Sequence, residues 1–200
     1  MESRNPNHPK KNSIIRTVPF RTLKDIKSIK LLLASKPRDY AIFTIGLNFA
    51  LRGGDLLRLR IGQVRHLKVG DNLQLREQKT GKLKSLLINK TSYEAIQGLL
   101  KSMKDTVNDD DFLFQSRKHR GKLTVSYLNF LVKSWAKAIN LKGNYGSHSL
   151  RRSFGTINRL VYGTDMAVLM RCYGHSSQSQ TMKYIGLTEE EVQNVYLREI

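Results

Sequence analysis

The sequence predicts a mainly α-helical domain with a small antiparallel three-stranded β-sheet, an α+β fold. Apolar residues recur at helical spacing in the first 60 residues and again after residue 90. Between these regions, three short segments read as strands separated by turn residues. The chain has 200 residues, 40% of them hydrophobic, which is enough for one core. The predicted organisation is a basic, weakly structured arm over residues 1–20 and one domain over residues 21–200.

The arm and two helices make up the first 51 residues. Residues 1–20 contain three prolines and several basic residues, a composition typical of a chain with little structure of its own. A helix is predicted from Thr22, a capping residue that precedes apolar residues at helical spacing. A second helix is predicted over residues 37–51, and it leads directly into Arg52-Gly53-Gly54-Asp55.

Arg52 is unusual because, in a helical segment, it would share a face with Leu56 and Leu59. An arginine directed into an apolar wall is costly unless an anion meets it. Two interpretations are open. Either Asp55 neutralises Arg52 in a structural ion pair, or Arg52 lines a pocket for a phosphate and Asp55 orients it.

Three short strands are predicted over residues 66–69, 73–77 and 83–88, with turn residues between them. The last hairpin turn, Lys79-Thr80-Gly81-Lys82, presents lysines at its tip. Such a tip is either a solvated turn or a contact for phosphate groups.

The remaining elements are predicted to be helices, over residues 92–103, 124–139, 147–161, 165–171 and 188–199, with a further segment that carries Tyr184. Two charged loops interrupt them. Asp109–Asp111 is expected to be a solvated acidic turn, since the carboxylates of metal-dependent nucleases usually come from separate elements. The second loop is expected to contact a polyanion backbone through Arg117, Lys118, Arg120 and Lys122.

The helix over residues 147–161 has two faces. Four apolar residues lie on one side, and the residues on the other side are His148, Arg151, Arg152, Gly155 and Arg159. The apolar side is expected to pack on the core. The basic side is either solvated or meets nucleic acid, with Gly155 permitting a close approach.

The charge balance indicates a polyanionic partner. There are 35 Lys and Arg against 16 Asp and Glu, a net charge of +19 that repels itself in the folded state. Nucleic acid is the favoured partner over an anionic membrane surface, and we see neither a membrane-spanning apolar run nor a signal peptide. The single cysteine, Cys172, excludes an internal disulfide and favours a reducing, cytoplasmic setting.

Residues 22–200 resemble the catalytic domain of the tyrosine recombinase (phage integrase) family. The matches are Arg52 in FALRGGDLLRLR, Lys79 in REQKTGK, the H-x-L-R box His148–Arg151, the Gly-His pair Gly174-His175, and Tyr184 nine residues later. Order, context and spacing agree. After the second arginine, where the family often has a histidine, this chain has Arg152.

The resemblance implies a site-specific recombinase that cleaves and rejoins double-stranded DNA through a covalent 3′-phosphotyrosyl intermediate. Tyr184 would attack and His148 would accept its proton. The charge of the transition state would be stabilised by Arg52, Arg151 and His175. The leaving 5′ oxygen would be protonated by Lys79, with Lys82 and Lys84 as competing choices. Other DNA contacts are expected from Lys82, Lys84, Arg117, Lys118, Arg120, Lys122, Arg152 and Arg159.

No metal, ATP or other cofactor is implied, and we find neither a P-loop motif nor Cys/His residues at zinc spacing. Two alternatives share these features: a type IB topoisomerase-like relaxing enzyme, and a DNA-binding relative that has lost the reaction.

Family members usually carry an N-terminal DNA-binding domain. This chain is therefore expected to resemble the small single-domain members, such as the fimbrial-switch invertases, or to be a fragment of a longer enzyme. The terminal helix, residues 188–199, is expected to reach a neighbour in a tetrameric assembly on DNA.

Overall fold

Ten helices and a two-stranded sheet make up the part of the chain that the structure, a computed structural model, describes: residues 16–103, 107–116, 121–186 and 189–199. The helices are α1 (Leu23–Leu32), α2 (Pro37–Asn48), α3 (Gly53–Leu56), α4 (Ile61–Val64), α5 (Lys90–Ser102), α6 (Val125–Ala138), α7 (Ser147–Leu160), α8 (Met166–Tyr173), α9 (Gln178–Ile185) and α10 (Glu189–Tyr196). The strands are β1 (Asn72–Arg76) and β2 (Leu83–Leu87). Among the described residues, no helix has the length and apolar character needed to cross a membrane.

The sheet has two strands, so the prediction of three was wrong. β1 and β2 pair in antiparallel fashion, with Leu75 opposite Lys84. Residues 66–69, the expected first strand, form turns instead. The Leu67 N–H donates to the carbonyl of Val64, and the side chain of Asp71 accepts from the Lys68 N–H. These local bonds compete with strand pairing, and a four-residue segment has too few ladder bonds to outweigh them.

Side-chain caps set the starts of several helices. Thr22 accepts from the Asp25 N–H at α1, Asn89 from the Ser92 N–H at α5, and Thr124 from the Tyr127 N–H at α6. The cap predicted at Thr22 is therefore confirmed. The second helix ends earlier than predicted, at Asn48, and Ala50 just beyond it has a left-handed backbone with φ of +48°.

The main core surrounds α2, which is buried along most of its length and packs against α5 and α7. Phe43 of α2 contacts Trp135 edge-on, with ring centroids 5.8 Å apart. Trp135 therefore packs in the core, as its helical spacing predicts. Gly46 allows α7 to approach closely, because a Cβ at this position would lie 2.7 Å from the side chain of Leu150.

The end of the predicted arm belongs to the core. Phe20 is fully buried, stacks on Tyr145 with centroids 4.9 Å apart, and donates its N–H to the hydroxyl of Ser153. The Val18 N–H donates to the carbonyl of Asn144. An apolar side chain beside Pro19 thus places residues 18–20 in the domain, and residues 1–15 of the predicted arm lie outside the described residues.

The basic face of α7 is covered at Arg151 and Gly155, while His148 and Arg159 remain exposed. A second apolar cluster packs against it and consists of Ala50, Leu169, Tyr173 and Ile185, with Phe154, Met166 and Tyr184 partly buried at its edge. A Cβ at Gly155 would lie 2.2 Å from the Tyr173 hydroxyl oxygen. Gly155 therefore permits the approach of Tyr173, not that of DNA. Arg151, expected on an open face, is only 1% exposed.

Candidate active site

The six predicted catalytic residues come from five parts of the fold. Arg52 precedes α3, Lys79 lies in the β1–β2 turn, and His148 and Arg151 are on α7, while His175 follows α8 and Tyr184 is on α9. Gly174 ends α8 with a left-handed backbone, φ +68°, which glycine adopts without steric cost. This turn places the ring of His175 on that of Tyr173, with centroids 4.9 Å apart.

The two arginines meet at one buried carboxylate, Glu77. Nη1 of Arg52 lies 2.8 Å from Oε2 of Glu77, and Nη1 of Arg151 lies 3.7 Å from Oε1. Arg52 and Arg151 therefore converge on the same carboxylate, so the two guanidinium groups lie close together.

Glu77 is the residue that the sequence analysis missed. The sequence pattern that could have revealed it is the two-residue period of the strand. Leu73, Leu75 and Glu77 are all buried, while the residues between them are exposed. Burial raises the pKa of Glu77, but the contacts from Arg52 and Thr80 and the charges of Arg52 and Arg151 outweigh it. The net pKa is lower than the ordinary value of a glutamate.

Asp55 does not pair with Arg52, so both interpretations of Asp55 need correction. Its Oδ1 accepts the Gln78 N–H at 2.9 Å, and within the described residues no ion pair joins it to Arg52. One helical turn separates the two residues in sequence, but the carboxylate points at the hairpin. Asp55 therefore ties α3 to the start of the hairpin turn.

Arg151 is held by backbone carbonyls. Nη1 donates to the carbonyl of Ala50 at 2.6 Å, and Nη2 donates to that of Tyr173 at 3.0 Å. The ammonium of Lys84 donates to the same Ala50 oxygen at 3.2 Å. The left-handed backbone of Ala50 is uncommon for a residue with a side chain, and such conformations cluster at functional sites.

The phenol of Tyr184 contacts His148. Its oxygen lies 3.1 Å from Nδ1 of His148. Burial raises the pKa of Tyr184, and the nearby charges of Arg151, Arg152 and Arg52 only partly offset this. Burial, and then the charges of Arg151 and Arg152, lower the pKa of His148 below its usual value. At neutral pH the phenol therefore keeps its proton and faces an uncharged imidazole.

His175 is also neutral at pH 7. Burial, followed by the charges of Arg151 and Arg52, lowers its pKa to about 4. Nδ1 of His175 lies 2.9 Å from the hydroxyl oxygen of Thr181, a fully buried residue. This contact fixes the ring and leaves Nε2 for another partner.

The three candidate lysines occupy different environments. Lys79 and Lys82 are exposed in the hairpin turn, and within the described residues the ammonium of Lys79 makes no hydrogen bond or ion pair. The charge of Lys79 is one of those that lower the pKa of His148. Lys84 is half-buried, and burial, then the charge of Arg151, lowers its pKa to about 8.

The remaining predicted DNA contacts are scattered. Arg152 lies beside Tyr184, with its guanidinium carbon 5.5 Å from the ring centroid. Arg159 is exposed and donates to the carbonyl of Thr164 at 3.4 Å. Lys122 is exposed on the loop before α6. Three further predicted contacts, Arg117, Lys118 and Arg120, lie outside the described residues.

Several buried donors in this site have no hydrogen-bond partner within the described part of the chain. They are Nη1 of Arg52, Nε of Arg151 and Nε of Arg152. The contact between Arg52 and Glu77 is thus a close ion pair without an aligned hydrogen bond. Buried donors are normally satisfied, so the Nε atoms of Arg151 and Arg152 retain unused hydrogen-bonding capacity.

Comparisons with known proteins identify the family of the chain. The model of the phage integrase family matches residues 11–191. The chain is 34% identical over 179 residues to "Probable integrase/recombinase YoeC" of Bacillus subtilis (strain 168), covering 89% of this chain and 94% of that protein. It is 30% identical over 159 residues to the tyrosine recombinase XerC of Caldanaerobacter subterraneus subsp. tengcongensis, covering 78% of this chain but 43% of that protein.

The fold matches that of a solved complex, the XerH site-specific recombinase bound to palindromic difH substrate after cleavage. The TM-score is 0.72 at 19% identity, over 95% of this chain and 55% of that chain. The fold is therefore that of a tyrosine recombinase catalytic domain. The chain belongs to the phage integrase family, and it spans only about half the length of the XerC and XerH chains that it matches.

Proposed function

We propose that this protein is a site-specific DNA recombinase that cleaves and rejoins DNA through a covalent bond between Tyr184 and a 3′ phosphate. The observation that carries the proposal is the contact of the Tyr184 phenol with His148, close to Arg151, which meets Arg52 at Glu77. The relatives named above are recombinases, and neither a relaxing enzyme nor a silent DNA-binding protein is favoured.

In the cleavage step, the phenol oxygen of Tyr184 bonds to phosphorus while the bond to the 5′ oxygen breaks. A free tyrosine has a pKa of about 10, so only about one in a thousand is ionised at neutral pH. A neighbouring base can make up this deficit by taking the proton as the bond forms. We assign this role to Nδ1 of His148, which already faces the phenol. On rejoining, His148 returns the proton.

The charge that develops on the phosphate oxygens needs donors that are in place beforehand. Arg52 and Arg151 suit it because a guanidinium keeps its charge and presents paired N–H groups. His175 supports them as a neutral donor through Nε2, in the tautomer whose Nδ1 accepts from the Thr181 hydroxyl. In comparable sites, one such donor is worth about 3 kcal/mol of transition-state stabilisation.

The departing 5′ oxygen must receive a proton, and we assign this donation to Lys79. Its side chain is unengaged at the tip of the hairpin, so it can move toward bound DNA. Lys82 and Lys84 remain the competing donors. Lys84 has its own support, because it is beside Arg151 and has a pKa of about 8, close to the working pH of a general acid.

Double-stranded DNA is the proposed substrate and partner. The net charge of +19 favours a polyanion, and the XerH neighbour was solved with its difH substrate. The scattered cations Lys122, Arg152 and Arg159 would then contact the phosphate backbone. We further propose that recombination joins four protomers on two duplexes. Val195, Tyr196 and Leu197 of the C-terminal segment support this, because they are 57%, 85% and 78% exposed and offer apolar surface to a neighbour.

The variant Tyr184→Phe tests the proposed chemistry. Without the phenol oxygen, this protein should bind DNA with nearly unchanged affinity yet form no covalent adduct on a nicked suicide substrate. Tyr162→Phe is the matched control, since Tyr162 is an exposed tyrosine after α7, and it should form the adduct normally. Denaturing gel electrophoresis with labelled DNA measures the adduct. Persistent adducts in Tyr184→Phe would refute the assignment.

A further inference from the structure

A carboxylate occupies the centre of the proposed phosphate site. Glu77 is 5% exposed, and its two oxygens face Arg52 at 2.8 Å and Arg151 at 3.7 Å. The hydroxyl of Thr80 donates to Oε2 at 2.8 Å. Oε1 is buried and has no hydrogen-bond partner among the described residues.

This carboxylate neutralises the arginines when no DNA is present. Two guanidinium groups held close together repel each other and are costly to bury without a counterion. The pKa of Glu77 is lower than its ordinary value, so the side chain is ionised at neutral pH. Its charge and its two oxygens resemble those of a phosphodiester, and it lies where both arginines can reach it.

We propose that Glu77 is an internal competitor of the scissile phosphate: its carboxylate fills the anion position between Arg52 and Arg151 in the free protein, and binding of DNA exchanges it for phosphate. This inference rests on the proposed function, because the incoming anion is the DNA phosphate. A competing anion inside the site also lowers the affinity of the arginines for small anions in solution.

The exchange is coupled to the hairpin that carries Lys79. Glu77 directly follows β1, its N–H donates to the carbonyl of Lys82, and its carboxylate accepts from Thr80 in the same turn. Displacing the carboxylate removes its bonds to Thr80 and Arg52. The turn can then move, so arrival of the phosphate and placement of Lys79 become linked events.

The test compares phosphate binding by the full chain and by Glu77→Gln, a nearly isosteric variant without the charge. Inorganic phosphate is the probe, and the arginine side-chain N–H signals in NMR spectra report binding. We expect the Kd of Glu77→Gln for phosphate to be at least tenfold lower than that of the unsubstituted chain. Equal or weaker binding by Glu77→Gln would overturn the proposal, and weaker binding would assign Glu77 a purely positioning role.

Two further variants make the comparison specific. Glu94→Gln changes the net charge equally at an exposed i,i+4 pair with Lys90, and its phosphate affinity should stay within twofold of that of the unsubstituted chain. Thr80→Ala removes the hydroxyl donor to Glu77 at an exposed position without a change in charge, and it should bind phosphate more tightly. If Glu77→Gln fails to fold, unchanged binding by Thr80→Ala would overturn the proposal.

Phosphate titration requires no cleavage, so it separates the two hypotheses. Tighter phosphate binding by Glu77→Gln, together with no adduct from the unsubstituted chain, would support the competitor and refute the proposed reaction. Adduct formation by the unsubstituted chain, together with unchanged phosphate binding by Glu77→Gln, would support the proposed reaction and refute the competitor.

Discussion

Burial and neighbouring cations give each titratable residue of the site a different proton state. The two imidazoles are neutral at pH 7, because desolvation and the arginines lower both pKa values. Tyr184 remains protonated because burial raises its pKa. Glu77 remains ionised, since its cationic contacts outweigh the effect of burial. An uncharged base thus faces a protonated nucleophile among cationic side chains, which is the starting state that the proposed reaction needs.

The pH profile of cleavage follows from the lowered pKa of His148. A base acts in its deprotonated form, which is present above its pKa and lost as pH falls through it. The acid limb of the single-turnover cleavage rate should therefore lie below about pH 6.5, the ordinary value for histidine.

His148→Ala should lower the cleavage rate about 10²- to 10⁴-fold and remove this limb. His66→Ala is the control, because His66 is exposed in the turn after α4, outside the site. Adduct formation on a suicide substrate, measured across pH, gives both results. An unchanged acid limb in His148→Ala would contradict the role of His148.

At the level of elements, α7 organises the molecule because it packs on both faces. One face carries Leu150 against α2, and the other carries Gly155 against Tyr173. The Tyr173 hydroxyl accepts from the Gly155 N–H and donates to the carbonyl of Arg151. The packing of Tyr173 against α7 therefore also helps to set the position of Arg151. A substitution that disturbs the contact of Gly155 with Tyr173 should therefore also displace Arg151 in the candidate active site.

Gly155→Ala should destabilise the protein by about 1–3 kcal/mol, the usual range for overpacking. The added Cβ would lie 2.2 Å from the Tyr173 hydroxyl oxygen, forcing α7 and α8 apart. In Gly98→Ala, the control in α5, the new Cβ meets no atom within 4 Å. That change should stabilise by about 0.5–1 kcal/mol, since alanine is the better helix former. Urea unfolding measures both variants, and equal stabilities would contradict the packing argument.

Element prediction succeeded where the determinants are local. Thr22 and Thr124 mark the starts of helices, because their side chains accept hydrogen bonds from the backbone N–H three positions away. Helical spacing predicts the core positions of α6. It failed at residues 66–69, where turn hydrogen bonds replace strand pairing. It also treated the basic face of α7 as open, because helical periodicity places residues on a face but does not say what covers that face.

At the scale of the whole molecule, the excess positive charge and the C-terminal segment both favour association with partners. A net charge of +19 disfavours the compact state and is relieved by bound phosphates. The Arg21 guanidinium pairs with Glu191 at 3.0 Å and donates to the Gly186 carbonyl at 3.1 Å, which holds the start of α10 near α1. The exposed apolar residues beyond this anchor remain available to a neighbour.

Removing residues 188–200 should weaken assembly on paired sites more than binding to a single site. The deletion removes the apolar surface of the tail and leaves the six proposed catalytic residues in place. Leu197→Ser should show a smaller effect in the same direction. Leu31→Ser is its control, because Leu31 is a similarly exposed leucine on α1. Light scattering and mobility shifts on DNA with one or two sites measure the two equilibria. Undiminished assembly in the deletion variant would contradict the role of the tail.

The amino-acid sequence alone predicted most of the helices of the domain, a polyanionic partner and the six residues of the proposed chemistry; it did not predict the short helices α3 and α4 or the helix α9. The features that it predicted depend on composition and on spacings of a few residues, which can be read from the sequence without knowledge of the fold. The tertiary structure decided that Glu77, not Asp55, is the partner of Arg52, that Arg151 is buried against the carbonyls of Ala50 and Tyr173, and that Gly155 makes room for an aromatic ring. Twenty-five positions separate Arg52 from Glu77 in the sequence. Two charges so far apart in the chain pair only if the fold brings the start of α3 next to the end of β1, which the sequence does not reveal.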